Sequence, residues 1–429
     1  MSPLGSVSKW ITGVVTAVED NAGAEERAAI PYRLGMPGPD HSVGVYLHVP
    51  FCERVCPYCD FAVVGVRQLE ASVEARYVEA LLRELDARAA LFTGRALATI
   101  YFGGGTPSLL QPASVERLQA AVRDRFGSGD GGGVEVSLEV NPSSVERARL
   151  PGFREAGVNR ISMGIQSFDD GMLKRLGRAH RGEEGLLSWQ AAREAGFANL
   201  SLDLIFAGPG ASPEQLERDL DQLLALGPEH VSTYALTVED GTPFETALAR
   251  GQLELPEEDD IADAMERIAE RLAACGIDRY EVSSYAREGF ASRHNQRYWS
   301  RLPVLALGVG AVSSEPASPG APYGRRSSNH RSLGAYLKAI EAGEPAAPEG
   351  EVLAEAVARG EALFLGLRGV AGVAAQAFAA EFGGPPRDFY ASEIDDLLEA
   401  SLLSESEAGD LRLSQRGWLL ADSVALHFL

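Results

Sequence analysis

The sequence predicts an α/β fold, in which a large unit built on a parallel sheet precedes a smaller helical unit. First, its 429 residues exceed what a single hydrophobic core usually organises. Second, from Val43 onward short apolar runs alternate with amphipathic stretches, a pattern typical of repeated strand–helix units. Third, this alternation stops at about Pro348, where consecutive amphipathic stretches begin.

Six short runs have the apolar or alternating character of strands. They are residues 44–49, 98–102, 134–140, 160–165, 200–206 and 231–236. Amphipathic stretches with helical spacing lie between them, the clearest being 71–91, 112–126, 183–195 and 213–226. Prolines at the first turn and glycines after the last turn mark several of these helix boundaries. Because the two patterns alternate, we expect parallel strands, either in a doubly wound sheet or in a barrel.

The second half of the chain continues with less regular elements. A helix is expected over 257–274, a strand over 279–284, a loop around His294, an apolar Gly-rich run over 304–313 and an exposed loop over 315–326. Beyond these, helices are predicted over 352–367, 372–382 and 389–400, a hairpin over 402–413 and a last helix from Gln415. Helices followed by a small hairpin suggest a winged-helix-like unit, and its excess of acidic residues argues against DNA binding.

We therefore divide the chain into a poorly ordered, Gly-, Ala- and Pro-rich N-terminal extension (1–42), a sheet-containing core (43–345) and a C-terminal helical domain (346–429). The formal charge of −22 disfavours nucleic acid as a partner. No apolar run of about 18 residues predicts a membrane span. The N-terminus lacks a basic segment leading into an apolar stretch, so we expect a cytoplasmic protein.

The chain has four cysteines, too few for a disulfide framework, and three of them are clustered. Cys52, Cys56 and Cys59 are separated by three and then two residues, which lets one short loop supply three corners of an iron–sulfur cluster. Since a conventional cluster has four protein ligands, the missing one leaves an iron open to a small molecule with an amine and a carboxylate. Cys275 stands alone after the apolar positions of a helix, and we expect a buried thiol there.

The alternative is a structural zinc site, which takes four ligands. His48 could supply the fourth, but on an alternating strand it need not converge with Cys52. His48 is more typical of a strand residue that makes a local hydrogen bond.

The cysteine spacing after a first strand is similar to the radical-SAM (S-adenosylmethionine) signature. The segments Tyr-Leu-His-Val-Pro-Phe-Cys, Tyr-Phe-Gly-Gly-Gly-Thr-Pro-Ser, Glu-Val-Asn-Pro, Ser-Met-Gly-Ile-Gln-Ser-Phe and Leu-Asp-Leu-Ile-Phe resemble the oxygen-independent coproporphyrinogen III oxidase family. Cys-Pro-Tyr-Cys-Asp-Phe and His-Asn-Gln-Arg-Tyr-Trp resemble the haem-chaperone branch of that family. The resemblance covers roughly residues 43–429. It implies a partial (β/α)6 radical-SAM barrel with a C-terminal helical, winged-helix-like domain, a [4Fe–4S] cluster and bound SAM.

The resemblance also implies which residues bind SAM. The matching positions are Tyr46, Tyr58, Gly104, Gly105, Thr106, Glu139, Gln166, Arg178, Asp203, Ala235 and Val312. The glycines permit close approach of the backbone to a ligand, and a carboxylate at Glu139 suits a ligand that carries an ammonium and a sulfonium. Asp203 stands in an apolar strand and needs a partner, for which a ribose hydroxyl would serve. Taken singly, Arg178 is more typical of a surface charge and Gln166 of a strand end.

Two departures separate the chain from the decarboxylating oxidases of the family. Those oxidases have another cysteine two residues after the third ligand, where this chain has Phe61, and residues 1–42 show no match to their longer N-terminal segment. Both favour a haem chaperone that passes haem to an unidentified acceptor protein. The alternatives are a radical-SAM enzyme acting on a porphyrin, the oxidase or a haem-modifying relative, and a non-radical metal-binding protein.

The resemblance places the haem contact at residues 294–299. A neutral imidazole of His294 is a good axial ligand for haem iron, and Tyr298 and Trp299 offer flat apolar surface to a porphyrin. The competing interpretation is a segment whose aromatic side chains cap the barrel edge, with His294 merely hydrogen-bonded.

Overall fold

The computed structural model describes residues 41–127 and 133–429. The predicted N-terminal extension lies, except for its last two residues, outside the described residues. In these ranges the strands are β1 (Ser42–Val49), β2 (Phe51–Cys52), β3 (Val64–Gly65), β4 (Ala96–Gly104), β5 (Glu135–Val140), β6 (Arg160–Gln166), β7 (Leu200–Phe206), β8 (His230–Ala235), β9 (Asp278–Glu281), β10 (Ser284–Ala286), β11 (Val304–Leu307), β12 (Val312–Glu315), β13 (Arg325–Ser328), β14 (Glu349–Val352), β15 (Leu403–Glu405) and β16 (Leu411–Leu413).

The helices of the same ranges alternate with β4 to β8 and then dominate the C-terminal part. They are α1 (Ala71–Arg88), α2 (Pro112–Phe126), α3 (Ser144–Glu155), α4 (Asp170–Arg175), α5 (Gly182–Glu194), α6 (Pro213–Leu226), α7 (Pro243–Ala249), α8 (Glu258–Ala273), α9 (Arg293–Trp299), α10 (Leu333–Ala342), α11 (Glu355–Gly366), α12 (Ala375–Phe382), α13 (Arg387–Glu399), α14 (Gln415–Leu419) and α15 (Ala421–Leu426). Within the described ranges, none of the helices is long and apolar enough to cross a membrane.

The six predicted strands correspond to β1, β4, β5, β6, β7 and β8, which lie side by side in chain order and run parallel. A doubly wound sheet reverses its strand order, whereas this sheet continues in one direction, as a barrel does. β11 adds a parallel strand on the other side of β1, and the sheet ends in antiparallel strands, with β14 at one edge and β9 at the other. The fold is therefore an open barrel.

The pleat of each strand separates a helix-covered face from a barrel lumen. On β1, Val43, Val45 and Leu47 are fully buried in the core beneath the helices, so Tyr46 and His48 point to the opposite face. The outer face is apolar and the lumen is polar. A second apolar core, formed by residues between Leu353 and Phe428, lies in the C-terminal part, where β15 and β16 pair as the predicted hairpin.

Four expectations are corrected by the fold. The segment expected to be one strand over 279–284 is a hairpin of β9 and β10. The expected loop at His294 is the helix α9, begun by a hydrogen bond from the backbone N–H of Asn295 to the Ser292 hydroxyl. The ends of the loop predicted over 315–326 belong to paired strands β12 and β13. Cys275 is exposed, because α8 ends two residues before it and the chain turns at the surface.

Candidate metal and cofactor site

The three clustered cysteines lie in one loop at the carboxyl end of β1. Its ends are held together by the pairing of β2 with β3, in which Phe51 is opposite Val64 and Cys52 is opposite Gly65. The backbone N–H of Cys59 donates to the carbonyl of Cys56 at 3.1 Å, which forms a turn within the loop. Cys52 is buried, while Cys56 and Cys59 are half-buried. The loop is thus anchored at both ends and presents three thiols.

Burial controls the state of these thiols. It raises the pKa of Cys52 to about 11, against the lowering effect of the Thr106 hydroxyl, and it raises the pKa of Cys59. Without a metal the thiols of Cys52 and Cys59 therefore stay protonated at neutral pH. Metal binding must release their protons, because the thiolate is the ligand.

The glycine-rich segment after β4 packs directly against the cysteine loop. A Cβ on Gly105 would lie 2.9 Å from Cys52 Sγ and 2.8 Å from the carbonyl oxygen of Phe51, so only glycine fits there. The backbone N–H groups of Gly105 and Thr106 donate to the carbonyls of Val49 and Phe51, each at 2.8 Å. This segment and the cysteine loop therefore form one rigid cradle.

Glu139 of β5 reaches the same cradle. It accepts hydrogen bonds from the Tyr101 hydroxyl at 2.9 Å and from the backbone N–H of Gly104 at 3.0 Å. Burial raises the pKa of Glu139 to about 7, although both hydrogen bonds favour the ionised form. Glu139 is therefore partly protonated near pH 7, and a bound cation would favour its ionised form.

A chain of polar contacts joins the cysteine loop to β5 and β6. Asn141 donates to Thr106 Oγ1 at 2.8 Å and accepts from Arg178 at 2.5 Å. Arg178 donates in addition to the carbonyl of Gly164 at 3.0 Å and to Cys56 Sγ at 3.7 Å. Sequence reasoning missed Asn141 as a site residue, although it lies in the quoted Glu-Val-Asn-Pro segment.

Two predicted site residues keep buried polar atoms with no partner in the described part of the chain. They are Arg178 Nε and Gln166 Oε1. Gln166 also has a φ of 67°, a left-handed conformation that is costly for a side-chain-bearing residue. Unpaired buried donors and acceptors are rare and costly, so they indicate a place for a polar ligand.

Asp203 lies one layer deeper in the lumen. Ser162 Oγ donates to its two carboxylate oxygens at 3.1 and 3.0 Å, and Ser201 Oγ donates to Oδ1 at 3.3 Å. Burial raises the pKa of Asp203, and these hydroxyls oppose the shift. The sequence predicted that the Asp203 carboxylate needs a polar partner. Serines on β6 and β7, which the sequence did not point to, supply part of that partner.

The remaining predicted SAM residues have less distinctive surroundings. Tyr46 contacts His48 through its hydroxyl, Tyr58 is half-buried in the cysteine loop, and Ala235 is the last residue of β8. Val312 is 42% exposed at the start of β12. Phe61, which distinguishes this chain from the oxidases, is 63% exposed beside the cysteine loop.

His48 has both ring nitrogens engaged. Nε2 lies 3.0 Å from the carbonyl of Ala62, which only accepts, so Nε2 carries the proton and Nδ1 accepts from the Tyr46 hydroxyl at 3.1 Å. The lone pair that a zinc ion would need is therefore occupied. His48 is the hydrogen-bonded strand residue that its sequence context indicated.

His294 is buried inside the barrel in this structure. It is 1% exposed, stacks on Tyr101 with ring centroids 5.0 Å apart, and bonds Thr99 Oγ1 through Nδ1 at 2.7 Å. Its Nε2 lies 3.4 Å from the Tyr298 hydroxyl. This arrangement agrees with the hydrogen-bonded interpretation, and ligation of haem by His294 would require α9 to move. The haem contact stays a prediction.

Comparison with known proteins then decides the family. A model of the radical SAM superfamily matches residues 46–223, and a model of the HemN C-terminal domain matches residues 353–420. The haem chaperone HemW of Bacillus subtilis is 35% identical over 385 residues, which cover 90% of this chain and 98% of that protein. HemW of Mycobacterium tuberculosis is 39% identical over 64% of this chain and 70% of its own length.

The chain belongs to the HemW family. Its fold is also that of coproporphyrinogen III oxidase (HemN) from Escherichia coli, with a TM-score of 0.76, 24% identity and 91% coverage of both chains. Membership of the radical SAM superfamily implies a [4Fe–4S] cluster and SAM. The residues fit both groups, since three thiols share one anchored loop, Gly105 leaves the space that a Cβ would fill, and Arg178 and Gln166 retain unpaired polar atoms.

Proposed function

We propose that this chain is a haem chaperone that holds a [4Fe–4S] cluster on Cys52, Cys56 and Cys59, binds exchangeable SAM beside it and transfers haem to an acceptor protein. The observation that carries the proposal is the joining of the cysteine loop at Cys56, through Arg178, Asn141 and Thr106, into one polar cradle in a HemW family member. The acceptor and the haem are assigned from the family alone.

In this proposal each polar group of the cradle has a defined task. The cluster and SAM, when bound, supply one-electron chemistry at the sulfonium. Glu139 accepts from the methionyl ammonium, Arg178 donates toward the carboxylate and Asp203 accepts from ribose hydroxyls. Tyr46, Tyr58, Gln166, Ala235 and Val312 complete the SAM contacts, with Gly104, Gly105 and Thr106 lying against the ligand as backbone.

The metal assignment is tested by single cysteine variants after anaerobic reconstitution. Cys52→Ser, Cys56→Ser and Cys59→Ser should each lose most bound iron and sulfide, because a cubane with two protein thiolates is poorly held. Cys275→Ser is the matched control, since this thiol is exposed outside the loop, and it should keep the cluster. Equal cluster content in all four variants would reject the assignment.

The functional assignment is tested with the reconstituted protein and two substrates. Haemin should bind, seen as a shifted Soret absorption band, and should pass to an added haem-free acceptor protein. Coproporphyrinogen III with SAM and a reductant should give no protoporphyrinogen. Formation of that product at a catalytic rate would establish the oxidase instead.

A further inference from the structure

A column of hydrogen bonds crosses the barrel lumen beneath Asp203. The Ser292 backbone N–H donates to the Tyr280 hydroxyl at 3.3 Å, and this hydroxyl lies 2.8 Å from His230 Nε2. On the other side of the imidazole, His230 Nδ1 lies 2.8 Å from Ser201 Oγ, which donates to Asp203 Oδ1 at 3.3 Å. Three side chains, Tyr280, His230 and Ser201, thus connect the start of α9 with Asp203, a predicted SAM contact.

The Asp203 end of this column imposes one direction on its protons, and the Ser292 end is compatible with it. The Ser292 N–H can only donate, and an ionised carboxylate can only accept. Because Ser201 donates to Asp203, it accepts from His230 Nδ1–H. His230 Nε2 then accepts from the Tyr280 hydroxyl, which itself accepts from Ser292. His230 carries its proton on Nδ1 and donates to Ser201, whose hydroxyl is then free to donate only toward Asp203. The tautomer of His230 follows from its partners.

The surroundings of His230 keep it in that neutral form. Its side chain is 0% exposed, and burial, assisted by the nearby Arg160 guanidinium, lowers the pKa of His230. Its register partner on β7 is Ser201, so the imidazole and the hydroxyl are fixed by strand pairing. Ser201 could otherwise rotate toward a backbone carbonyl and leave Asp203 with Ser162 and Ser232 as its hydroxyl partners.

We propose that His230 is a positioning residue for SAM. By accepting from Tyr280 and donating to Ser201, it holds the Asp203 carboxylate in the orientation that receives the ribose hydroxyls. The inference rests on the proposed SAM site, and it adds His230, Ser201 and Tyr280 to that site although none of them touches the ligand.

The test compares two ligands, SAM and a SAM analogue whose two ribose hydroxyls are replaced by hydrogen. In the reconstituted protein, His230→Phe should weaken SAM binding about tenfold, the order expected when a charge-assisted hydrogen bond is misdirected. The analogue, which cannot donate to Asp203, should bind His230→Phe and the unchanged protein equally. Titration calorimetry measures both affinities.

Two further variants separate positioning from damage to the fold. His230→Asn retains a donor near Nδ1 and should recover most of the SAM affinity. Tyr280→Phe removes the donor to Nε2 and should weaken SAM binding about threefold. Its matched control is Tyr336→Phe, which removes a buried hydroxyl bonded to Glu84 at 2.8 Å, outside the column, and should leave SAM binding unchanged.

The outcomes separate this inference from the proposed function. If the unchanged protein with an intact cluster binds no SAM, both are rejected. If it binds SAM but His230→Phe binds equally well, or loses SAM and the analogue to the same extent, the positioning role alone is wrong. If His230→Phe does not fold, the Tyr280→Phe and Tyr336→Phe pair decides, and equal affinities in that pair reject the role.

Discussion

At the scale of single residues, the candidate site consists of polar groups held in a poorly solvated lumen. Burying a carboxylate is costly, and the structure offsets this at Glu139 with two donors and at Asp203 with serine hydroxyls. Arg178 Nε and Gln166 Oε1 remain unpaired in the described residues. A cationic, hydroxyl-bearing ligand with a carboxylate would complement this set of donors and acceptors.

The titration of Glu139 gives a pH prediction. Its pKa of about 7 means that it is protonated at pH 6 and ionised at pH 8. If the carboxylate receives the SAM ammonium, SAM affinity should rise about tenfold across this interval, following the ionised fraction. Isothermal titration at several pH values checks this.

Glu139→Gln is the control for that prediction. Titration of SAM itself affects both proteins equally, whereas the glutamine cannot ionise at this position. Its affinity should be low and should lack the Glu139-dependent rise. A pH profile that is the same in both proteins would contradict the role of Glu139.

At the scale of elements, the way in which α9 is attached to the barrel determines where His294 lies. Glu135, at the start of β5, accepts from the backbone N–H groups of Arg293 at 3.1 Å and His294 at 3.0 Å. A carboxylate at a helix N-terminus satisfies unpaired donors and complements the helix dipole. The helix is thereby fixed to the barrel, and His294 is held inside.

The haem contact at His294 is tested at this scale. If the predicted ligand role is right, His294→Ala should abolish haem binding and leave the iron and sulfide content unchanged, because His294 lies outside the cysteine loop. Absorption titration with haemin checks this.

Glu135→Ala is a companion variant that keeps the imidazole in place. It removes the acceptor for the first backbone N–H groups of α9, so the stability of the helix should fall by about 1 kcal/mol. If His294→Ala binds haemin like the unchanged protein, the imidazole is only the hydrogen-bonded residue that the structure shows.

At the scale of the whole molecule, the C-terminal unit packs on the elements that carry α9 and the hydrogen-bonded column. The backbone N–H of Val282 donates to the carbonyl of Arg368 at 3.0 Å, and that of Val370 donates to the carbonyl of Tyr280 at 3.1 Å. The Arg368 guanidinium lies 4.8 Å from the centre of the Trp299 ring and 2.8 Å from Asp422. Arg368 therefore links α9 to α15 of the C-terminal unit.

Removing Arg368 should loosen this interface. Arg368→Ala should lower the free energy of unfolding by about 1 kcal/mol through loss of the cation–π contact with Trp299. It should also speed amide hydrogen exchange at Val282 and Val370, and both can be measured by denaturation and exchange mass spectrometry. Asp422→Asn removes only an exposed ion pair and should cost under about 0.5 kcal/mol. Equal effects of the two variants would show that the ring contact contributes nothing.

The amino-acid sequence by itself determined the elements that depend on local pattern. Six strands alternate with helices because apolar side chains recur at the spacing of each element, and the strand bounds deviate by at most about two residues in the structure. The cysteine spacing and the family segments are also local, and they were sufficient to predict the radical-SAM fold and the family. The assignment of individual site residues stays a prediction.

Only the tertiary structure decided the features that depend on residues distant in the chain. It showed that α9 is a helix capped by Glu135, that Cys275 is exposed and that His294 lies inside the barrel. It also brought Ser292, Tyr280, His230 and Ser201 into one column that ends on Asp203. These contacts join segments that no local periodicity relates, because strand register and the closure of the sheet place their side chains in a common lumen.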